Sequence, residues 1–257
     1  MVWLIGAHRG EDAVPFLQAK NKIYCLEANP LMCEQLFALE GPVFIKNSAL
    51  VKPTFSDSEV TFYISNDKSE WGTLENSRVS SGSKFTDFIS IKTPVIRLSE
   101  LVENWDCPDI IICDIEGSET EAFVIPLTNN HIEFFNDTLI CCEVSKDNWR
   151  EILRLFAQTR RLFSIVVNGE IFSNDNSAMG ERGGVGPMLR SKFTSSIGSF
   201  LSGLEQSENS KRWYSKLEIE QNLEMWFRTK NKAWTFNYDT WVDLIIWPNS
   251  QGNLGRI

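Results

Sequence analysis

Short apolar runs alternate with segments of helical periodicity along the first half of the chain. The runs are VWLI, IYCLEA, VFIKNSAL and DIIICDIEG, and they are rich in β-branched residues. Segments 11–21, 30–40 and 118–128, which follow the first, second and fourth runs, carry apolar residues at helical spacing. This alternation is typical of βαβ units, so the sequence predicts an α/β fold with a mostly parallel sheet.

Cap and turn residues support two of these helices. Asn29 and Pro30 provide an N-cap and a proline at the first helical position, and Gly41 is predicted to end the same helix. Ser118 and Glu121 have the spacing of a capping box at the start of the helix after the fourth run. We interpret all of these residues as structural.

The rest of the chain predicts further strands and one insertion. VTFYIS and ISIKTPVI predict extra strands, and TLICCEVS predicts a strand before a helix around 149–160. FSIVVNGEIF predicts a strand pair with a hairpin turn at its Asn-Gly, and WVDLIIWP predicts a final strand. Because no repeat or clear linker divides the chain, we predict a single domain over 1–257, with a helical and loop insertion at about 173–236 before the last strand.

Composition excludes several classes of partner. The chain has 257 residues and a formal charge of −9, and its basic residues are scattered, so neither nucleic acid nor an anionic membrane is an expected partner. No stretch approaches the roughly 18 apolar residues of a membrane span, and no signal-peptide pattern begins the chain, so we predict a cytoplasmic protein. The cysteines inside apolar runs are predicted to be reduced core thiols rather than disulfides or zinc ligands. They are Cys25, Cys113, Cys141 and Cys142.

The first strand leads into the turn G-A-H-R-G, which begins at Gly6 and ends at Gly10. Glycine in such a turn lets backbone N–H groups approach a ligand closely. Glu27 ends the second strand, 21 residues after Gly6, where nucleotide-binding α/β folds place an acidic residue that binds ribose hydroxyls. Together the two features predict an adenosine-containing cofactor, whereas each alone also fits a tight turn or a surface glutamate.

Two carboxylates after this turn bear on which cofactor binds. A dinucleotide would rest its pyrophosphate at the helix N-terminus, where the dipole contributes about 0.3–1 kcal/mol per charge. Glu11 and Asp12 would largely cancel that contribution, while S-adenosylmethionine has no phosphate and carries a sulfonium cation that suits a negative rim. The spacing also departs from G-x-G-x-x-G. The positive charge of Arg9 would instead favour a phosphate, and the carboxylates can simply cap the helix dipole. An NAD(P)-dependent oxidoreductase is therefore disfavoured but stays an alternative.

Five motifs in order carry a family resemblance. LIGAHRG is similar to V-D-V-G-A-N/H-x-G, CLEANP to F-E-P-N-P, KNSAL to N-x-A-L, and DIIICDIEGSE to D-x-[IL]-K-[IL]-D-[VI]-E-G-x-E, while FNYDTWVDLIIWP resembles a final strand. These are motifs of the FkbM family of class I methyltransferases. The resemblance covers most of residues 2–145 and the end of the chain. Leu4, Ala28 and Cys113 depart from it, because they stand where the family has an acid, a proline and a lysine.

The resemblance implies a fold, a cofactor and a reaction. The fold is a Rossmann-like, seven-stranded sheet, and the reaction is methylation by S-adenosylmethionine of a hydroxyl on a sugar or small metabolite. The implied cofactor-binding residues are Gly6, Ala7, His8, Gly10, Glu27, Ala28, Ser48, Ala49 and Asp114. The alternative is a catalytically inactive, methyltransferase-like binding module, since the acid of the first strand is replaced by Leu4 and no segment covers that strand at the N-terminus.

Carboxylates gather at the predicted carboxyl edge of the sheet. Asp114 and Glu116 are two residues apart at a strand end, Glu119 lies in the next helical turn, and Glu143 ends the neighbouring strand. Such a group can orient the cofactor's amino group, bind a divalent metal, or raise one another's pKa so that one carboxylate acts as a base. Helix capping and solvated strand ends are the structural alternative. We predict Asp114, Glu116 and Glu143 as catalytic residues, with no metal site.

Other polar and aromatic residues are weaker candidates. Trp71, Gly72 and Thr73 lie in a polar loop where the family has a small-residue motif near the active site. Nine tryptophans fit core packing or an aromatic lid over a sugar. His131 is predicted to be structural. The expected partner is therefore a small-molecule or glycan acceptor, whose identity the sequence leaves open, as it does the oligomeric state.

Overall fold

The structure is a computed structural model that describes residues 1–66, 72–74, 88–145, 147–156, 163–168, 216–217, 219–221, 223–224 and 241–246. Its strands in chain order are β1 (Val2–Ile5), β2 (Ile23–Glu27), β3 (Val43–Asn47), β4 (Ala49–Leu50), β5 (Glu59–Ser65), β6 (Gly72–Thr73), β7 (Phe88–Ile96), β8 (Ile110–Cys113), β9 (Leu139–Val144), β10 (Phe163–Asn168) and β11 (Trp241–Ile246). Its α-helices are α1 (Ala13–Gln18), α2 (Pro30–Leu36), α3 (Leu98–Asn104) and α4 (Trp149–Phe156). Two π-helical segments follow β8, at Glu119–Val124 and Leu127–His131.

The main sheet has the strand order β3-β2-β1-β8-β9-β11-β10 in the described residues. β1 pairs in parallel with β2 on one side and with β8 on the other, and β3 and β9 continue the parallel pairing outward. β11 runs antiparallel between β9 and β10. The predicted mixed α/β fold, with mostly parallel strands, is confirmed.

Both faces of this sheet are buried. Trp3 and Ile5 pack into one apolar layer, while Val2 and Leu4 pack into the other. Parallel strands covered on both faces are apolar at successive positions, which explains why uninterrupted apolar runs mark them in the sequence. The four cysteines predicted as core thiols form no disulfide and are buried, and burial raises the pKa of the Cys25 thiol to about 12.

A second sheet, in the order β4-β7-β5-β6, lies beside the carboxyl end of β2. The extra strands predicted from VTFYIS and ISIKTPVI are β5 and β7, and they pair antiparallel. The run VFIKNSAL is not one strand, because β3 ends at Asn47 and β4 pairs with β7 instead. The Thr93 hydroxyl donates to the Ala28 carbonyl at 2.9 Å, so the second sheet is fastened to the segment after β2.

The local helix signals are confirmed only in part. Asn29 caps α2, because its side-chain oxygen accepts a hydrogen bond from the Leu31 N–H at 3.0 Å. Gly41 does not end this helix: α2 stops at Leu36, and Gly41, with φ of +132°, lies in the turn before β3, close to Leu17. The predicted capping box is also wrong, since Ser118 makes no side-chain cap hydrogen bond and a π-helical turn follows it.

Two predictions fall partly outside the described residues. The insertion at about 173–236 is described only for a few helical residues between 216 and 224, of which Ile219 and Leu223 are buried in the core. The predicted hairpin is described only for its first strand, β10, which pairs with β11. Within the described part of the chain, no helix has the length and apolar character needed to span a membrane.

Candidate active site

A cleft opens at the carboxyl ends of β1, β2 and β8. Within the sheet, β1 has β2 as its neighbour on one side and β8 on the other, so the strand order reverses at β1. This is the topological switch point, where α/β sheets bind ligands. The cleft holds about 560 Å³ of space, part of it open to solvent.

The glycine turn forms one wall of the cleft. Gly6, His8 and Gly10 have φ of +83°, +48° and +88°, so left-handed residues alternate along the turn. A Cβ on Gly6 would lie 1.7 Å from the Asp114 carbonyl oxygen. The absence of a side chain at Gly6 is therefore required by contact with the turn after β8, rather than by approach of a ligand as the sequence predicted.

The predicted cofactor residues in this turn separate into two groups. Gly6 and His8 line the cleft. Ala7 is 6% exposed and belongs to an apolar layer of the core, and a Cβ on Gly10 would meet Leu36 and Leu39. The alternating backbone turns Ala7 and Gly10 away from the cleft, so neither is brought to it.

Glu27 lies at the back of the cleft and is 7% exposed. Its two carboxylate oxygens accept hydrogen bonds from the backbone N–H groups of His8 and Asn29, both at 2.7 Å. Burial raises the pKa of Glu27, and the two N–H donors oppose that shift. Each oxygen of an ionised carboxylate can accept a second hydrogen bond, so contact with ribose hydroxyls is compatible with this geometry.

The segment after β2 and the segment after β3 form the second wall. Ala28, Ser48 and Ala49, which the sequence predicts as cofactor-binding residues, all line the cleft. The Ser48 N–H donates to the Glu27 carbonyl at 3.0 Å, which holds the start of β4 against the end of β2. Phe62 and Leu74 add apolar surface to the cleft. Sequence reasoning missed both, because they reach the cleft only through the pairing of the second sheet.

The turn after β8 forms the third wall. Asp114 and Glu116 line the cleft, and Glu116 has a left-handed φ of +52°. The Thr73 hydroxyl donates to the Glu116 carbonyl at 3.1 Å, while Gly72 packs against the Phe62 ring. The structure therefore places Gly72 in the cleft lining and Thr73 against the turn that carries Glu116, whereas Trp71 lies outside the described residues.

Carboxylate oxygens of Asp114, Glu119 and Glu143 lie within 4.8 Å of one another. Glu119 is 1% exposed, and its oxygens accept hydrogen bonds from the N–H groups of Ile115 and Gly117 at 2.9–3.1 Å. Burial, with a further contribution from the Asp114 charge, raises the pKa of Glu119 to about 7. The predicted gathering of carboxylates is thus present, although Glu143 and Glu119 lie behind the cleft lining.

The acidic residues before α1 do not form the rim that the charge argument assumed. Glu11 hydrogen-bonds to Arg9 and to His8, and neither Glu11 nor Asp12 lines the cleft. Partial burial raises the pKa of Glu11, but hydrogen bonds from His8 and Arg9 lower it to about 2. Because Arg9 compensates the charge of Glu11, the argument against a phosphate-bearing cofactor is not supported by this geometry.

A family model matches the part of the chain that contains the cleft-forming turns. Residues 5–168 match the family described as Methyltransferase FkbM domain. No curated protein sequence matches the chain. The matched segment contains the glycine turn, Glu27 and the turn after β8, all of which meet in the cleft.

Similarity to solved structures is low. The precorrin-6y C5,15-methyltransferase of Geobacter metallireducens GS-15 aligns at 9% identity over 66% of each chain, with a TM-score of 0.35, so this chain spans just under two thirds of that protein's length. The plantazolicin methyltransferase BpumL in complex with SAH aligns at 11% identity over 97% of this chain and 76% of its own, also with a TM-score of 0.35. These similarities are too low to assign a fold or a function. On the match over residues 5–168, which is more than half of its length, the chain belongs to the FkbM family of methyltransferases, whose cofactor is S-adenosylmethionine.

Proposed function

We propose that this protein transfers the methyl group of S-adenosylmethionine to a hydroxyl group of a sugar or small metabolite. The observation that supports the proposal is the cleft at the switch point, where Glu27 faces the turn that carries Asp114 and Glu116. Apolar side chains such as Leu26 and Phe62 suit an adenine ring, while carboxylates suit ribose hydroxyls, an amino group and a sulfonium cation.

The bound cofactor supplies an electrophilic methyl group on its sulfonium. In this proposal Glu27 accepts hydrogen bonds from the ribose hydroxyls. Asp114 orients the amino end of the cofactor in place of the first-strand acid, because Leu4 at that position is 2% exposed and packs in the apolar core. The acid proposed to contact the amino end of the cofactor therefore comes from the turn after β8 rather than from β1.

Proton removal from the acceptor hydroxyl requires a base at the cleft. We assign that role to Glu116, which lines the cleft next to Asp114. Glu143, whose carboxylate lies within 4.8 Å of those of Asp114 and Glu119, contributes negative charge behind the site. Positioning of the acceptor supplies much of the remaining acceleration, since methyl transfer is an in-line displacement.

The reaction is proposed to be independent of a divalent metal. Oε1 of Glu119 already accepts two backbone N–H groups and Oε2 accepts one, so this carboxylate has little capacity left to serve as a metal ligand as well. With a formal charge of −9, the chain suits a small-molecule or glycan acceptor better than nucleic acid or an anionic membrane. A cytoplasmic location stays a prediction of the sequence.

The finer architecture is also part of the proposal. We propose the seven-stranded sheet of class I methyltransferases, with an insertion at about 173–236 before its last strand. The strand order β3-β2-β1-β8-β9-β11-β10, with β11 antiparallel to both neighbours, supports it.

The test is methyl transfer from radiolabelled S-adenosylmethionine to a panel of sugars, glycosides and small hydroxylated metabolites. We expect turnover by the wild type, loss of turnover in Asp114→Asn and Glu116→Gln, and unchanged turnover in Glu121→Gln, an exposed control in the π-helical segment after β8. Binding of S-adenosylhomocysteine without turnover on any acceptor would favour a binding module. Binding of NAD in place of S-adenosylhomocysteine would contradict the proposal and favour an oxidoreductase.

A further inference from the structure

We infer that Glu119 is a positioning residue of the cofactor cleft: its carboxylate holds the turn after β8 in the shape that presents Asp114 and Glu116 to the ligand. The inference rests on the proposed use of this cleft for S-adenosylmethionine. Glu119 itself does not line the cleft, so it acts through the backbone of the turn.

The carboxylate of Glu119 binds the turn at two points. Its Oε1 accepts the N–H of Ile115 at 2.9 Å and the N–H of Gly117 at 3.1 Å, while its Oε2 also accepts from Gly117 at 3.1 Å. These two donors flank Glu116 in the chain. A single buried side chain thus fixes the backbone on both sides of the proposed base.

The backbone between these two donors needs such support. Glu116 has φ of +52° and Gly117 has φ of +108°, and a residue with a Cβ is disfavoured in the left-handed region. Strained conformations persist where the surrounding structure fixes them, and they cluster at functional sites. In the absence of the Glu119 acceptors, we expect Glu116 to relax toward ordinary φ values and its side chain to leave the cleft.

The same turn connects the remaining walls. The Asp114 N–H donates to the Ile5 carbonyl at 2.9 Å, and the Asp114 carbonyl packs against Gly6. On the other side, the Glu116 carbonyl accepts the Thr73 hydroxyl at 3.1 Å. A shift of this turn therefore moves the contacts to the glycine turn and to β6 together.

If Glu119 served folding alone, its substitution would change the melting temperature without a separate change in ligand affinity. The described residues give Glu119 no ion pair, and its charge is stabilised by backbone N–H groups of the turn. A buried carboxylate is costly to keep, and an uncharged residue that only filled the same space would avoid that cost. Substitution by a shorter residue should accordingly change ligand affinity, beyond any change in melting temperature.

The experiment measures the dissociation constant of S-adenosylhomocysteine and the melting temperature for four proteins. They are the wild type, Glu119→Ala, Glu119→Gln and the exposed control Glu121→Ala. Glutamine keeps the Oε1 acceptor that receives both Ile115 and Gly117, whereas alanine removes it. We expect Glu119→Ala to bind about tenfold or more weakly while still folded at the assay temperature, with Glu119→Gln and Glu121→Ala within about threefold of the wild type.

Several outcomes would overturn the inference. A folded Glu119→Ala protein with wild-type affinity, whatever its melting temperature, assigns Glu119 to stability only. If the alanine variant does not fold, Glu119→Asp decides, because it keeps the charge and shortens the side chain by one methylene: about tenfold weaker binding supports the inference and wild-type affinity overturns it. A wild type that does not bind S-adenosylhomocysteine contradicts the proposed function, and the inference with it.

Discussion

Gly6 and Gly10 offer a matched pair of substitutions that tests how the glycine turn is built. Both have nearly equal left-handed φ, +83° and +88°. The conformational cost of alanine, about 1 kcal/mol, should thus be similar at the two sites. The sites differ in what a new Cβ would meet.

At Gly6 the Cβ would lie 1.7 Å from the Asp114 carbonyl oxygen and 2.8 Å from its carbonyl carbon, both backbone atoms. At Gly10 it would lie 2.7 Å and 2.8 Å from the terminal methyl groups of Leu39 and Leu36, which can rotate away. Overpacking costs about 1–3 kcal/mol when the surroundings must shift. We therefore expect Gly6→Ala to lose about 3–4 kcal/mol of unfolding free energy and Gly10→Ala about 1–2 kcal/mol.

Urea denaturation gives the unfolding free energies, and calorimetry gives the affinity for S-adenosylhomocysteine. Gly6→Ala should also weaken binding, because it forces the β1 and β8 turns apart, while Gly10→Ala should keep wild-type affinity, because Gly10 does not line the cleft. Equal destabilisation by the two variants, or loss of binding in Gly10→Ala with binding retained in Gly6→Ala, would refute this reasoning.

Three further predictions follow from the site. Glu27→Ala should weaken S-adenosylhomocysteine binding by about tenfold or more, since charged hydrogen bonds contribute about 1.5–3 kcal/mol; an unchanged affinity in a folded variant would remove Glu27 from the ribose contact. The pKa of Glu119 is raised in the folded chain from 4.5 to about 7, so its contribution to stability is full below about pH 4.5 and is lost as the pH rises through 7. The unfolding free energy of Glu119→Gln relative to the wild type should therefore rise by up to about 3 kcal/mol between those pH values, measured by urea denaturation, and a difference that does not change with pH would contradict a carboxylate whose charge is disfavoured by burial. EDTA should leave turnover unchanged, and restoration of activity by Mg²⁺ or Mn²⁺ after chelation would instead assign the carboxylates of Asp114 and Glu143 to a metal.

The sequence predicts the main sheet because its strands are buried on both faces. Runs such as VWLI and IYCLEA have no polar alternation, and they are β1 and β2 in the structure. The second sheet is less accessible to such reasoning, since β4 is only two residues long and pairs with β7, which is distant in the chain. A break in the run VFIKNSAL has no local signal, because it follows from a change of pairing partner.

The residues of the candidate site are predictable from the sequence where they stand at the carboxyl ends of strands. Glu27, Asp114 and Glu116 come to the cleft because parallel strands place their carboxyl ends at one edge. Ala7 and Gly10 do not, since the alternating left-handed φ of the turn decides which residues face inward. The bonds from Glu119 to the preceding turn are likewise invisible in the sequence, where Ser118 and Glu121 resemble an ordinary capping box.

Titration of S-adenosylhomocysteine into the wild type, Ala28→Trp and Ala38→Trp tests the central claim most directly. Ala28 is half-buried and lines the cleft, while Ala38 is exposed after α2 and outside it. An indole at position 28 should occupy the cleft, whereas one at position 38 should project into solvent. We predict one site per chain in the wild type, the same affinity in Ala38→Trp, and at least about tenfold weaker binding in Ala28→Trp. Wild-type affinity in a folded Ala28→Trp protein, or no binding by the wild type, would contradict the assignment of this cleft to S-adenosylmethionine.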